Sequence, residues 1–154
     1  MGRMPLLITA SAYRKLLQVP QVPPETGGIL GMKNGMISEV YLDTAKPVLG
    51  RAMYIPDVNV LNRQIGAWQN NSVEFAGLFH SHPPDQKELS RKDEIYAVEI
   101  LKAMPDTIRK LFFPIIIPGQ AVIAFSAVRK NNHSVAIIRE NVHLIETGGN
   151  QDGR

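Results

Sequence analysis

Cysteine is absent from the chain. Disulfides and thiolate nucleophiles are therefore excluded, and any bound metal must be held by nitrogen and oxygen donors. Long apolar runs are missing too. The longest, LFFPIIIP from Leu111, is broken by Pro114 and closed by Pro118, well short of the ~20 residues that span a bilayer. Aromatic residues make up only 6% of the chain, and no Lys/Arg block is interleaved with them. A nucleic-acid groove would need both. The formal net charge of +3 reads as solubility, with a mild preference for acidic partners. The opening MGRMPLLITASA has Arg3, an apolar patch and Ala-Ser-Ala, but its apolar core is too short for a secretory signal and it runs into a helical pattern. The expectation is a soluble, cytoplasmic protein with no membrane and no nucleic-acid partner.

What is present suits one globular domain. The chain has 154 residues, 44% hydrophobic and 20% charged, enough to bury a sizeable core. Neither a repeat nor a linker divides it. We place the domain at residues 1–145 and a loose, polar, glycine-rich tail at 146–154.

Along the chain, Thr9 or Ser11 caps a helix running to about Val19, with Ala12, Leu16 and Leu17 on its apolar side. Two strands follow over 26–44, joined by a tight hairpin turn at Lys33-Asn34-Gly35. Residues 45–56 read as a surface loop, and Asp57 caps a helix with Val58, Leu61, Ile65 and Trp68 on one face. VEFAGLFHSH is a third strand. Ser90 opens a helix to about Met104, its apolar side formed by Ile95, Val98, Ile100 and Leu101, and Pro105 ends it. LFFPIIIP, QAVIAFSAVRK and SVAIIREN are the closing strands, the last two joined at Asn131-Asn132. This order predicts an α/β fold: a mixed β-sheet flanked by helices.

Two of only four histidines stand one residue apart in GLFHSHPPDQKELSRKDE. In a strand, residues i and i+2 share a face, so His80 and His82 present paired imidazoles while Ser81 points away. Pro83-Pro84 stops the strand, which sets the pair at a strand end. A carboxylate is the natural third ligand for a divalent ion, and Asp93 lies across a loop in the first turn of the next helix. Each residue also has a plainer role: a sheet-edge histidine, a turn histidine before proline, and a capping box made by Ser90 and Asp93. The two roles of Ser90 are compatible, because a hydroxyl can accept from the helix and still donate elsewhere. A hydrolytic centre also needs a base, and Glu25 in PPETGGILG is the candidate; alone it reads as an exposed turn carboxylate.

Taken together, Glu25, then His80-Ser81-His82-Pro83, six residues, and Ser90-x-x-Asp93 resemble the JAMM (MPN-plus) family of zinc isopeptidases, with the spacing in register. The likeness extends over most of the chain. It implies a cytidine-deaminase-like JAMM/MPN fold, Zn2+ held by His80, His82 and Asp93, Glu25 as acid/base and Ser90 as oxyanion partner. It also implies cleavage of a peptide or isopeptide bond after the C-terminal tail of a ubiquitin-like (β-grasp) protein, the tail bound as an extended strand. The lean chain resembles the stand-alone prokaryotic type, whose substrates are small ubiquitin-like or sulfur-carrier proteins. Two other readings stay open: a zinc hydrolase of a small amide or other peptide on the same fold, and an inactive MPN scaffold. No oligomeric state follows from the sequence.

Overall fold

Asn34 and Gly35 both hold positive φ, 56° and 78°, which closes a two-residue hairpin between β2 (Gly27–Lys33) and β3 (Met36–Leu42) as the sequence predicts. The computed structural model describes residues 5–20, 26–43, 58–132 and 134–146. Among these, β1 (Leu6–Thr9) and α1 (Ala10–Leu17) precede the hairpin. It is followed by α2 (Val58–Gln69), β4 (Glu74–Ser81) and α3 (Arg91–Ala103). The chain then forms β5 (Lys110–Phe112), β6 (Ile115–Ile117), β7 (Ala121–Ile123), β8 (Phe125–Arg129), β9 (Val135–Arg139) and β10 (Val142–Ile145). The expected loop at 45–56, the Asp57 cap and the tail from Thr147 lie outside the described residues.

The strands form one mixed sheet in the order β10-β1-β3-β2-β4-β5-β8-β9, with β6 beside β4 and β7 beside β6. Neighbouring residues on the central strands serve opposite faces. Leu30 of β2 and Phe79 of β4 pack with Ala12 and Leu16 of α1. Ile29 and Leu78 pack with Leu61 and Trp68 of α2 and with Ala97 and Leu101 of α3. Both faces are covered, which is why GGILG and AGLFH read as near-continuous apolar runs. Gly77 has φ +147°, and a Cβ there would collide with the Phe112 carbonyl, so glycine lets β5 close against β4.

Several expectations are corrected. LLIT supplies a strand, β1, before the first helix, and VHLI supplies β10 after the expected last strand; each pairs with the other in parallel. LFFPIIIP is two strands rather than one, because Pro114 has no N–H to continue the ladder. β5 pairs with β8, and β6 with β7, so the facing segment is likewise split at Ala124. The first helix ends at Leu17, not near Val19. On α3, Ile95 is exposed and the buried residues are Ala97 and Leu101. The helix is phased by Asp93: positions 93, 97 and 101 fall on one face, and Ile95, two residues on, faces away.

Arg129, on β8, fixes the far end of α3. Its guanidinium donates to the carbonyls of Leu101 and Met104, and its Nε donates to Ile108 at 2.8 Å. These include carbonyls that a helix C-terminus leaves unpaired. No helix among the described residues is long and apolar enough to cross a membrane.

Candidate metal centre

The centre lies where β4 ends. β4 runs between β2 on one side and β5 and β6 on the other, and its ladder carries through His80 opposite Gly27. The backbone N–H of His82 donates to Ile116 at 3.0 Å, which keeps the residue in line just past the strand. Strand alternation then does what the sequence predicts. His80 and His82 point to the α3 side, their rings edge to face at 73° with centroids 4.5 Å apart. Ser81 points away and is fully buried.

Asp93 comes to the pair on the first turn of α3. Ser90 and Asp93 form a reciprocal capping box: Ser90 Oγ accepts from the Asp93 amide at 3.0 Å, and Asp93 Oδ2 accepts from the Ser90 amide at 2.9 Å. The oxygen that caps the helix is thus also the one nearest the histidines: Oδ2 lies 3.2 Å from His80 Nε2 and 3.4 Å from His82 Nε2. The two Nε2 atoms are 2.9 Å apart. A tetrahedral ion with bonds of about 2.05 Å separates its ligands by about 3.3 Å. The three donor atoms stand at nearly that spacing.

Tautomer is decided by a backbone group. His82 Nδ1 lies 3.0 Å from the Gln86 carbonyl, which can only accept. Nδ1 therefore carries a proton, which leaves Nε2 as the ring nitrogen that faces Asp93 and His80 and could serve as a ligand atom. Gln86 is itself set by a turn in which its amide donates to the Pro83 carbonyl. Sequence patterning could not reveal this partner, because it is a carbonyl and any residue type supplies one; the Pro83-Pro84 turn signal was the only clue to its place.

Burial alone would push the Asp93 carboxyl up, but hydrogen bonds from His80 and His82, the charge on His80 and the Ser90 amide together hold it well below the usual carboxylate range. Asp93 therefore enters as a carboxylate, as a metal ligand must. Two imidazoles and one carboxylate, with no thiolate, are a nitrogen and oxygen donor set that could hold a divalent ion.

Of the residues singled out from sequence, the structure brings His80, His82 and Asp93 together and puts Ser90 at the cap of the same helix, its side chain exposed to solvent. Glu25 lies outside the described residues. Its neighbour Thr26 is described: the Thr26 amide donates to Ser81 Oγ at 2.9 Å, and the Ser81 amide donates to the Thr26 carbonyl at 2.7 Å. Tyr96, one turn beyond Asp93, carries no signal in the sequence pattern; partial burial of its ring pushes the phenol up.

No family model matches the chain, and no curated protein matches it in sequence. Among solved structures it is similar to the solution structure of protein DSY2949 from Desulfitobacterium hafniense, 19% identical, with a TM-score of 0.64 over 97% of this chain and 99% of that one. It is also similar to the solution structure of a protein from Salinibacter ruber, 15% identical, with a TM-score of 0.55 over 97% of this chain and 95% of that one. At these identities the likeness is one of fold, and a fold does not name an activity.

Proposed function

We propose that this chain is a zinc-dependent peptidase or isopeptidase of the JAMM type, acting in the cytoplasm on the C-terminal tail of a small ubiquitin-like or sulfur-carrier protein. The observation that carries the reading is the convergence of His80, His82 and Asp93, from two separate elements, at tetrahedral spacing with the His82 tautomer already set. The residue order around them resembles the family's motif, and the α/β architecture with a mixed sheet accords with it.

When bound, zinc would supply Lewis acidity and bring the pKa of a coordinated water toward neutrality. The chain's own residues do the rest. His80, His82 and Asp93 hold the ion. Glu25 takes the proton of the attacking water and returns it to the leaving amine. Its neighbour Thr26 is tied to Ser81, directly between the two histidines in sequence. The Ser90 hydroxyl accepts from the helix, so its proton is available to the oxyanion that develops on the scissile carbonyl.

Two measurements test the reading. Metal analysis of protein purified without added metal is expected to find one zinc per chain, rather than the iron that a two-histidine, one-carboxylate set also accepts. The zinc-loaded protein, assayed against linear fusions and lysine conjugates of ubiquitin-like and sulfur-carrier proteins, is expected to cut after the tail. Folded protein that takes up no zinc on titration points to the scaffold role. Zinc-loaded protein that cuts only small acyl-amides points to the other hydrolase.

A further inference from the structure

A cavity of about 40 Å³ opens against the metal-binding triad. His80 and Asp93 form one of its walls, and the rest is largely apolar, with Leu78, Phe79, Leu89, Phe113 and Tyr96. The placement follows from periodicity. Leu78 lies two residues before His80 on the same face of β4, and Tyr96 lies three residues after Asp93 on the same side of α3. One of these apolar walls also reaches solvent: Tyr96, beside Asp93, is 40% exposed.

Size and lining define the occupant. One water-sized group needs about 10–15 Å³ of such space, so the cavity takes roughly three. An aromatic side chain is too large. A charged one would give up its hydration against walls that are apolar apart from His80 and Asp93, which the proposed ion engages. We propose that this cavity is a subsite for a short aliphatic side chain, between alanine and valine in size, on a residue flanking the scissile amide, and that Tyr96 and Leu89 set its length limit. This rests on the metal-centre reading above.

Alkyl hydroxamates provide the test, because they chelate through their oxygens and leave a single alkyl arm to find the cavity. The zinc-loaded full chain is titrated calorimetrically with the series from acetohydroxamate to hexanohydroxamate and with benzohydroxamate, while the methyl resonances of Leu78 and Leu89 are followed by NMR. Affinity is expected to rise about fourfold per methylene, the fold-change equivalent to ~0.8 kcal/mol per buried CH2. The rise should stop near a three-carbon arm, benzohydroxamate should bind more weakly than that optimum, and both leucine methyls should shift. Tyr96→Ala, on an exposed helical position, is expected to move the optimum to longer arms, and Leu89→Phe to shorter ones. A flat series, or a rise that neither variant alters, overturns the subsite while leaving the metal centre standing. A chain that binds no zinc overturns both.

Discussion

Thr26 and Ser81 are joined three ways where β2 and β4 reach the candidate metal centre. The Thr26 amide meets the Ser81 hydroxyl at 2.9 Å, the Ser81 amide meets the Thr26 carbonyl at 2.7 Å, and the two hydroxyls lie 3.2 Å apart. The Thr26 hydroxyl also reaches the Pro20 carbonyl at 3.4 Å. It can donate to Pro20 while accepting from Ser81, so one side chain ties both ends of the segment from Pro20 to Thr26. The residue between the two histidines thus serves the opposite face of the strand from theirs.

Ser81→Ala removes the acceptor of the Thr26 amide. The expected cost is about 1 kcal/mol of stability, that of one lost hydrogen bond to a part-buried donor, with faster hydrogen exchange at the Thr26 amide. Zinc affinity should not change, because His80 and His82 point the other way. Denaturant unfolding, exchange NMR and a chelator competition measure the three quantities.

Zinc should stabilise the folded chain. At free metal a hundredfold above Kd the gain is about 2.7 kcal/mol, a rise of roughly 5–10 °C in Tm for a domain of this size. His80→Ala and Asp93→Asn are each expected to abolish the rise. Thermal unfolding followed by Trp68 fluorescence, with and without metal, reads it.

The state of Asp93 limits how acid can compete with the metal. Its folded value is depressed, so its contribution to stability is complete above the unfolded value of about 3.9 and is lost as pH falls from there toward the folded value. Asp93 therefore has no proton to exchange for zinc between pH 5 and 8, which leaves at most the two other ligands to do so. The logarithm of the apparent zinc affinity should therefore fall by no more than about two per pH unit on the acid side. A measured slope of three would mean that Asp93 protonates in that range.

Glu25→Gln separates proton transfer from metal binding. The variant should hold zinc and stay folded while turnover on a ubiquitin-like fusion drops by about 10²–10⁴. Turnover at the wild-type level removes Glu25 from the mechanism.

Ser90 has two measurable duties. Ser90→Ala should cost about 1 kcal/mol through the lost cap, and turnover should fall by about 10²–10³ through the lost donor. Ser90→Asp keeps a capping acceptor and lacks a proton to give, so it should recover stability without recovering turnover.

Much of the centre was legible because it obeys local periodicities. The two-residue spacing of His80 and His82, the stop at Pro83-Pro84 and the three-residue spacing of Ser90 and Asp93 each state a short-range geometry, and the structure realises all of them. What escaped reading depends on partners far away in sequence. β1 and β10 are four residues each and carry no turn signal between them; they are strands because they find each other. Ile95 fits an apolar helical face in the sequence, yet the turn of α3 is set by Asp93 reaching the histidines, which rotates Ile95 outward. The Gln86 carbonyl that orients His82 leaves no trace in residue type.

The two ends of the strand order, β9 and β10, are consecutive in the chain, joined by Glu140 and Asn141 alone. β10 docks on β1, so Leu6 pairs with Val142, almost the full length of the chain away. During synthesis β1 must wait beside β3 with one side bare until the polypeptide through Ile145 has been made. Closure is then a late, high-contact-order step, slow for the reason that distant loops are slow to close. A chain cut short before that strand would leave β1 paired on its β3 side alone.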